Sequence, residues 1–374
     1  MDLFKTYKLW PIEPVKGLGC NVWDKDGTEY LDLYGGHAVI SVGHCHPAYL
    51  NALQHQAAAL GFYSNAVQNS LQTTLAKKLG ETCGYPDYNL FLCNSGAEAN
   101  ENALKLASFA TGRSKVLSCA KAFHGRTSGA VAVTDNPKIQ SPFNKTEKVE
   151  MIPLNNCEAL EAKLATKEFA AVIIEGIQGV AGIWEPTAEF LKTAREACDK
   201  YGTLLVMDEV QSGYGRTGMF YAHQKHGVEA DIVSMAKGMG NGFPIGAIII
   251  NPAINAEYGM LGTTFGGNHL ACAAAIAVLD IINAEHLIEN AAAQGEFLMQ
   301  QLAGNPAIKE LRGRGLMIGI ELKEGYETLR DDLLFKKHIF TGGAGNNVIR
   351  LLPPLCISRV EASQFIESFN ELTR

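Results

Sequence analysis

The sequence predicts an α/β protein, with a mostly parallel central sheet covered by helices and joined to a smaller α+β domain. Three observations carry that expectation. Short runs rich in Val, Ile and Leu alternate with stretches rich in Ala, Leu, Glu and Lys, the pattern of strand–helix units. The runs are apolar throughout, so their strands are buried on both faces, as in a parallel sheet. After about residue 265 the texture changes to a long Ala-rich helical segment, followed by short strands and a closing helix.

Taken in order, GCNVWDKDGTEYLDL reads as a hairpin around Asp26-Gly27, a pair that suits a tight turn between two strands. GHCHP then forms a turn ahead of a helix opened by Pro47. Strands are expected at NLFLCNS (89–95), KVLSCAK (115–121), AAVIIEGI (170–177), TLLVMDEV (203–210), DIVSMAK (231–237) and GAIIINP (246–252). AEANENALKLASFATG and TAEFLKTAREACDKYG read as helices, the second stopped by Gly202. The segment from His269 to Gly304 is too long for one compact helix without a break. GRGLMIGIELK, NNVIRLLPPL and the helix VEASQFIESFNEL complete the smaller domain, and the first 40 residues are expected to pack with it. The expected division is residues 1–45 as that N-terminal segment, 46–265 as the large domain and 266–374 as the small one.

Composition narrows the function. Of 374 residues 47% are apolar and 19% charged, an ordinary globular balance rather than a disordered one. The net charge of −7, without a basic cluster, argues against nucleic-acid and anionic-membrane surfaces. Nine cysteines, an odd number without pairing spacing, suit reduced thiols and a cytoplasmic location. The opening MDLFKTYKLWPIEP has no basic-then-apolar pattern, and no apolar run approaches about 18 residues, so neither export nor a membrane span is expected. His44, Cys45 and His46 lack the paired spacing of a structural zinc site, and no metal is expected.

The chemistry lies where charges end apolar runs. Glu175, Asp208 with Glu209, and Lys237 each close a strand, and the carboxyl edge of a parallel sheet is where ligands bind. A charge at a strand end ordinarily just meets solvent, but three such endings beside the glycines at 238, 240 and 242 suggest a pocket. A lysine on a pocket floor loses basicity through desolvation and becomes a nucleophile toward carbonyls. A buried aspartate such as Asp208 keeps a pyridine nitrogen protonated, so the pair suits pyridoxal phosphate. Asn94, Ser95, Gly96 and Ala97 lie between a strand and a helix, where free N–H groups attract a phosphate. A nucleotide-binding α/β protein would share the apolar strands and glycine turns, but its purified form would show no visible absorbance.

Over essentially its whole length the chain resembles the class III aminotransferases of fold type I, near the acetylornithine and ornithine enzymes. GHCHP (43–47), NSGAEANENALK (94–105), FHGRT (123–127), MDEVQSGYGRTG (207–218), MAKGMGNGFPIGA (235–247), TTFGGN (263–268) and RLLPPL (350–355) occur in that family's order. The resemblance implies that Lys237 carries the cofactor and moves the proton, that Asp208 pairs with the ring nitrogen, and that Gln211 reaches the phenolic oxygen. Val210 and Phe123 would flank the ring, while Ser95, Gly96 and Ala97 would hold the phosphate with Thr264 of a neighbouring subunit, which implies a homodimer. Arg126 with Tyr7 would clamp a distal carboxylate and Arg350 the α-carboxylate of glutamate or 2-oxoglutarate, with Glu175 also on the substrate side. Arginine suits both carboxylates because its planar fork binds them bidentately.

Two departures bear on the substrate. EGIQGVAG has Val180 where ornithine-handling relatives usually carry a glutamate that neutralises the arginine matching Arg350, and Gly176 replaces a more usual proline. A free Arg350 would favour carboxylate-bearing substrates throughout the cycle and sort free ornithine less strictly. In LYGGHAVISVGH, His37 stands where acetylornithine enzymes tend to be apolar. It is either satisfied by backbone in a loop or lines the acyl pocket, which would favour N-succinylornithine over N-acetylornithine. The implied reaction moves the terminal amine of an N-acylornithine to 2-oxoglutarate. Ornithine, 4-aminobutyrate and diaminopelargonate aminotransferases share the same core.

Overall fold

The computed structural model describes residues 1–345 and 347–374, so Asn346, which falls in the expected strand NNVIRLLPPL, lies outside the described residues. Among the described residues two seven-stranded sheets organise the fold. Strands β1 (Pro14–Leu18), β2 (Asn21–Asp24) and β3 (Glu29–Leu33) form an antiparallel meander. The β2–β3 turn contains Asp26 and Gly27 as expected: Gly27 has φ +86°, and the Asp24 carboxylate accepts the Asp26 and Thr28 amides.

Strands β4 (Asn89–Cys93), β5 (Lys115–Cys119), β6 (Val149–Ile152), β7 (Phe169–Glu175), β8 (Leu204–Asp208), β9 (Ile232–Met235) and β10 (Gly246–Ile250) form the central sheet, in the order β4-β10-β9-β8-β7-β5-β6. All pairings are parallel except those of β10, which runs against both β4 and β9. Every residue of β7 and β10 is buried, as their unbroken apolar runs require. Each buried Ile or Val contributes about 1.5–3 kcal/mol. Strand β6 was not foreseen, because VEMI is short, sits at the sheet edge and carries Glu150, which is paired with Lys115 and Lys163. The expected strands run about two residues past the observed carboxyl ends, where the chain leaves the ladder for loops that hold Ser95, Glu209 and Lys237.

Strands β11 (Ile308–Arg314), β12 (Met317–Leu322), β13 (Ile339–Ala344) and β14 (Val348–Leu351) join β1–β3 in the second sheet, in the order β1-β2-β3-β13-β14-β12-β11. The N-terminal meander is thus hydrogen-bonded to the C-terminal strands through the parallel β3–β13 pair. The long Ala-rich segment breaks at His286, which has φ +51°, into helices His269–Ala284 and Leu287–Leu302 bent by 64°. Among the described residues no single helix is long and apolar enough to cross a membrane.

Candidate active site

The carboxyl ends of β7, β8 and β9 lie side by side, with Glu175 opposite Asp208 and Asp208 opposite Ser234. A cavity of about 790 Å³ opens at this edge. It is lined by every sequence-predicted site residue except Thr264, which is exposed and outside this chain's cavity.

Lys237 follows β9 in a single 3₁₀ turn, with left-handed backbone at φ +44°. The turn is clamped from behind. Asn241 Oδ1 accepts the Ser41 and Val42 amides, its Nδ2 donates to the Gly43 carbonyl, and Tyr49 donates to the Gly240 carbonyl at 2.7 Å. Glycine is required at 240, where a Cβ would stand 2.1 Å from the Phe243 carbonyl oxygen. Burial pushes the Lys237 amine down to about 8, while Asp208 and Glu175 oppose that shift and Arg350 adds to it. Lys237 forms no ion pair among the described residues and lines the cavity.

Asp208 is only 4% exposed, and its two oxygens are used unequally. Oδ2 accepts from Asn100 Nδ2 and from His124 Nδ1, both at 2.7 Å, whereas Oδ1 accepts only the Val210 amide at 3.0 Å. The Asn100 amide is itself fixed, donating also to the His124 carbonyl and accepting from the Ser234 hydroxyl at 2.6 Å. The carboxylate therefore keeps one face committed to the protein and one oxygen available to a donor in the cavity.

Ser95 ends the β4 loop and caps the helix Gly96–Thr111, accepting the Glu98 amide at 3.2 Å. A Cβ on Gly96 would meet Val210 Cγ1 at 2.6 Å, so glycine lets the helix start against that residue. The first turn of this helix, lining the cavity, is a ready anion seat. An anion seat, an aspartate with a free oxygen and an unpaired lysine of reduced basicity in one cavity fit pyridoxal phosphate.

Glu175 is buried, and burial raises its carboxyl to about 7 although the Phe123 and Gly179 amides donate to it. Gln211 donates through Nε2 to the His37 carbonyl at 3.2 Å, leaving Oε1 buried without a partner. Arg350, on β14, is 4% exposed; it donates to the Gly179 carbonyl at 3.1 Å, its Nε is unpartnered, and burial lowers its basicity. Arg126 is exposed on the cavity wall, and Tyr7 lies at the rim.

His37 has φ +69°, and its ring meets the Tyr34 hydroxyl. Val180 lines the cavity next to Gly179. Gly176 has a steric reason: a Cβ there would stand 2.6 Å from both Glu209 Oε1 and Ser212 Oγ, within a buried cluster that includes His223. His44 is engaged by Asp32 and His46 by Glu285, and His46 Nδ1 accepts the Ala48 amide to cap the helix that Pro47 opens.

Sequence reasoning missed Asn100 and His124. Asn100 had a readable signal, an amide on the buried face of its helix beside Ala99, Ala103 and Ala107. His124 lay inside a motif whose neighbours Phe123 and Arg126 drew the attention.

The family description "Aminotransferase class-III" matches residues 5–372. The acetylornithine aminotransferase of Archaeoglobus fulgidus is 41% identical over 368 residues, covering 98% of this chain and 96% of that protein. The enzyme of the same name from Bacillus subtilis is 40% identical over 376 residues, covering 99% and 97%. Among solved structures, the ornithine aminotransferase from Toxoplasma gondii ME49 superposes with a TM-score of 0.93 at 31% identity, over 99% of this chain and 92% of that one. The acetylornithine aminotransferase from Elizabethkingia anophelis gives 0.88 at 32% identity, over 99% and 96%.

Proposed function

The chain belongs to the class-III aminotransferase family, and on that premise we propose that it transfers the terminal amine of an N-acylornithine to 2-oxoglutarate, in arginine biosynthesis. The products are N-acylglutamate 5-semialdehyde and glutamate. Full-length similarity to proteins named acetylornithine aminotransferase supports the donor. The observation that carries the chemistry is Lys237, unpaired and of lowered basicity, lining the same cavity as an Asp208 fixed by Asn100, His124 and the Val210 amide.

Enzymes of this family use pyridoxal phosphate, which when bound supplies an electron sink that lets the amine-bearing carbon lose a proton. In our reading Ser95, Gly96 and Ala97 hold its phosphate, Asp208 Oδ1 its ring nitrogen, Gln211 its phenolic oxygen, and Phe123 and Val210 its faces. Lys237 Nζ anchors it, then takes the proton from the substrate carbon and returns it one position away. A value of about 8 suits that work, because an effective base titrates near the working pH. Arg126 with Tyr7 binds the donor's carboxylate, Arg350 the α-carboxylate of 2-oxoglutarate, and Glu175 orders the Gly179 loop beside them. Donor and acceptor use one cavity in turn, so the amine is parked between two half-reactions. The acyl cap leaves only the terminal amine free to react and prevents the semialdehyde from cyclising.

The assignment of Thr264 to the phosphate requires a second copy of the chain, so a homodimer belongs to this proposal. So do the division at residues 45 and 265 and a cytoplasmic location, which nine free thiols support. The test is a spectral half-reaction of purified enzyme with N-acetylornithine, N-succinylornithine, ornithine and 4-aminobutyrate in parallel. A preference for an N-acylated donor, with glutamate formed from 2-oxoglutarate, is expected. A faster reaction with free ornithine or 4-aminobutyrate would move the chain to those activities, and a colourless protein would revive the nucleotide-binding reading.

A further inference from the structure

Two of the nine cysteines meet across a sequence separation of 336 residues: Cys20 Sγ and Cys356 Sγ stand 3.8 Å apart, hydrogen-bond distance for thiols. Cys20 is 1% exposed in the turn between β1 and β2, whereas Cys356, in the loop after β14, is half-buried. Both main chains are pinned. The Cys20 carbonyl accepts the Asp32 amide at 2.7 Å, and Asn290 donates to the carbonyls on either side of Cys356, those of Leu355 and Ile357, at 2.6 and 3.0 Å. A Cβ on Gly43 would stand 2.8 Å from Cys356 Sγ, so glycine there leaves the sulfur its room. A disulfide places its sulfurs about 2.05 Å apart, so a turn of the two side chains toward each other must close the gap.

The two sulfurs are chemically unlike. Burial pushes the thiols of Cys83, Cys93, Cys119, Cys198 and Cys272 up, away from reactivity. Cys356 moves the other way, because the Cys20 thiol donates to its sulfur, against the pull of burial, Glu361 and Glu285. The same contact and its own burial hold Cys20 well up, so it keeps its proton. Arg216 adds a positive charge within reach of both cysteines. It is 2% exposed, donates to the carbonyls of Ile40, Leu316 and Pro353, and forms no ion pair among the described residues. A partly exposed thiolate with a protonated thiol against it is the arrangement of an attacking and a resolving cysteine.

We propose that Cys20 and Cys356 form a reversible disulfide when the protein meets a hydroperoxide. The Cys356 thiolate attacks one peroxide oxygen, the O–O bond breaks, hydroxide leaves, and Cys356 carries a sulfenic acid. The Cys20 sulfur then attacks the Cys356 sulfur, and the hydroxyl group departs with the Cys20 proton as water. The two cysteines lose two electrons, which reduce the peroxide to water, and a dithiol reductant reverses the bond by exchange. The bond fastens the N-terminal meander to the loop after β14, two parts of the second sheet joined in the ladder by the short parallel pairing of Leu31–Leu33 with Ile339–Thr341. It closes against Gly43, whose carbonyl accepts Asn241 in the clamp behind Lys237, while neither cysteine lines the cavity.

The experiment treats reduced holoenzyme with a small excess of hydrogen peroxide, alkylates the remaining thiols and maps the peptides without reduction. Two of the nine thiols should be lost to one intramolecular Cys20–Cys356 bond. The melting midpoint should rise by at least ~2 °C and return on treatment with dithiothreitol. In Cys20→Ser and in Cys356→Ser that rise should vanish. A 1,3-diketone probe for sulfenic acid should label Cys356 in Cys20→Ser at least ~10-fold more than it labels Cys20 in Cys356→Ser. Mapping of the unaltered chain requires no variant to fold. All nine thiols intact after peroxide, or a bond through Cys45 or any other cysteine in place of this pair, overturns the proposal. Equal probe labelling in the two variants overturns the assignment of the attacking sulfur, and a Cys20–Cys356 bond that leaves the midpoint unchanged overturns the fastening.

Discussion

Replacing Asn100 by Ala removes the one side chain that joins Ser234, His124 and Asp208. Three hydrogen bonds go at once: to the Asp208 carboxylate at 2.7 Å, to the His124 carbonyl at 2.7 Å, and from the Ser234 hydroxyl at 2.6 Å. All four residues are buried, with at most 4% exposure, so the abandoned groups have no water to turn to. A bond to a charged group is worth about 1.5–3 kcal/mol, a neutral one about 0.5–1.5 kcal/mol, and an orphaned buried group costs about 1–3 kcal/mol. The expected destabilisation is therefore about 3–5 kcal/mol. For a chain of this length each kcal/mol shifts the melting midpoint by roughly 1–1.5 °C. Ligand-free Asn100→Ala should thus melt about 4–6 °C lower, read by scanning calorimetry at fixed scan rate. Asp208, one donor short, should also hold pyridoxal phosphate at least ~10-fold less tightly, which corresponds to about 1.4 kcal/mol. A midpoint within 1 °C of the parent (about 1 kcal/mol or less), together with unchanged cofactor affinity, would refute the claim that this amide positions the aspartate.

Other substitutions separate the parts of the site. Lys237→Arg keeps a positive charge but loses the amine proposed to anchor the cofactor and carry the proton, and single-turnover amine transfer should fall at least ~10²-fold. Because burial holds Lys237 at about 8 rather than its ordinary 10.5, the unfolded chain keeps a proton that the folded chain has lost between those values. The ligand-free protein should gain stability from this group as pH rises through that window and lose it as pH falls to about 8. Thermal melts of Lys237→Met across the same range should lack that slope; a parallel pair of curves would contradict the burial of the amine. Gly176→Ala would press a methyl group to 2.6 Å from Glu209 and Ser212, and a cost of about 1–3 kcal/mol should appear in denaturation of the ligand-free protein.

The floor of the candidate site could be read from the sequence because it is built from exceptions to a strong local rule. A run such as TLLVMDEV is apolar until the strand ends, so the first carboxylate marks both the sheet edge and the site. Asn100 and His124 obey no such rule, since they act on Asp208 across sequence separations of 108 and 84 residues and take meaning only from the fold. The left-handed turn at 35–38 was hidden for a different reason. Gly35 and Gly36 permit positive φ, but nothing local predicts it for His37 and Ala38, which are held there by Asp32, Gln211 and the Gly35 carbonyl. This division has a functional consequence. The groups proposed to do the chemistry sit at the carboxyl end of β8, in the turn after β9 and at the start of the helix Gly96–Thr111, beside the buried Asn100–His124–Asp208 network. The groups proposed to choose the donor, Tyr7, His37, Arg126 and Val180, lie on loops and the exposed N-terminal segment, outside every strand of the central sheet. Donor preference can therefore shift through a valine or a strained histidine while Lys237 and Asp208 stay where the sheet puts them, so overall similarity to acetylornithine and ornithine enzymes identifies the reaction far more firmly than the acyl cap.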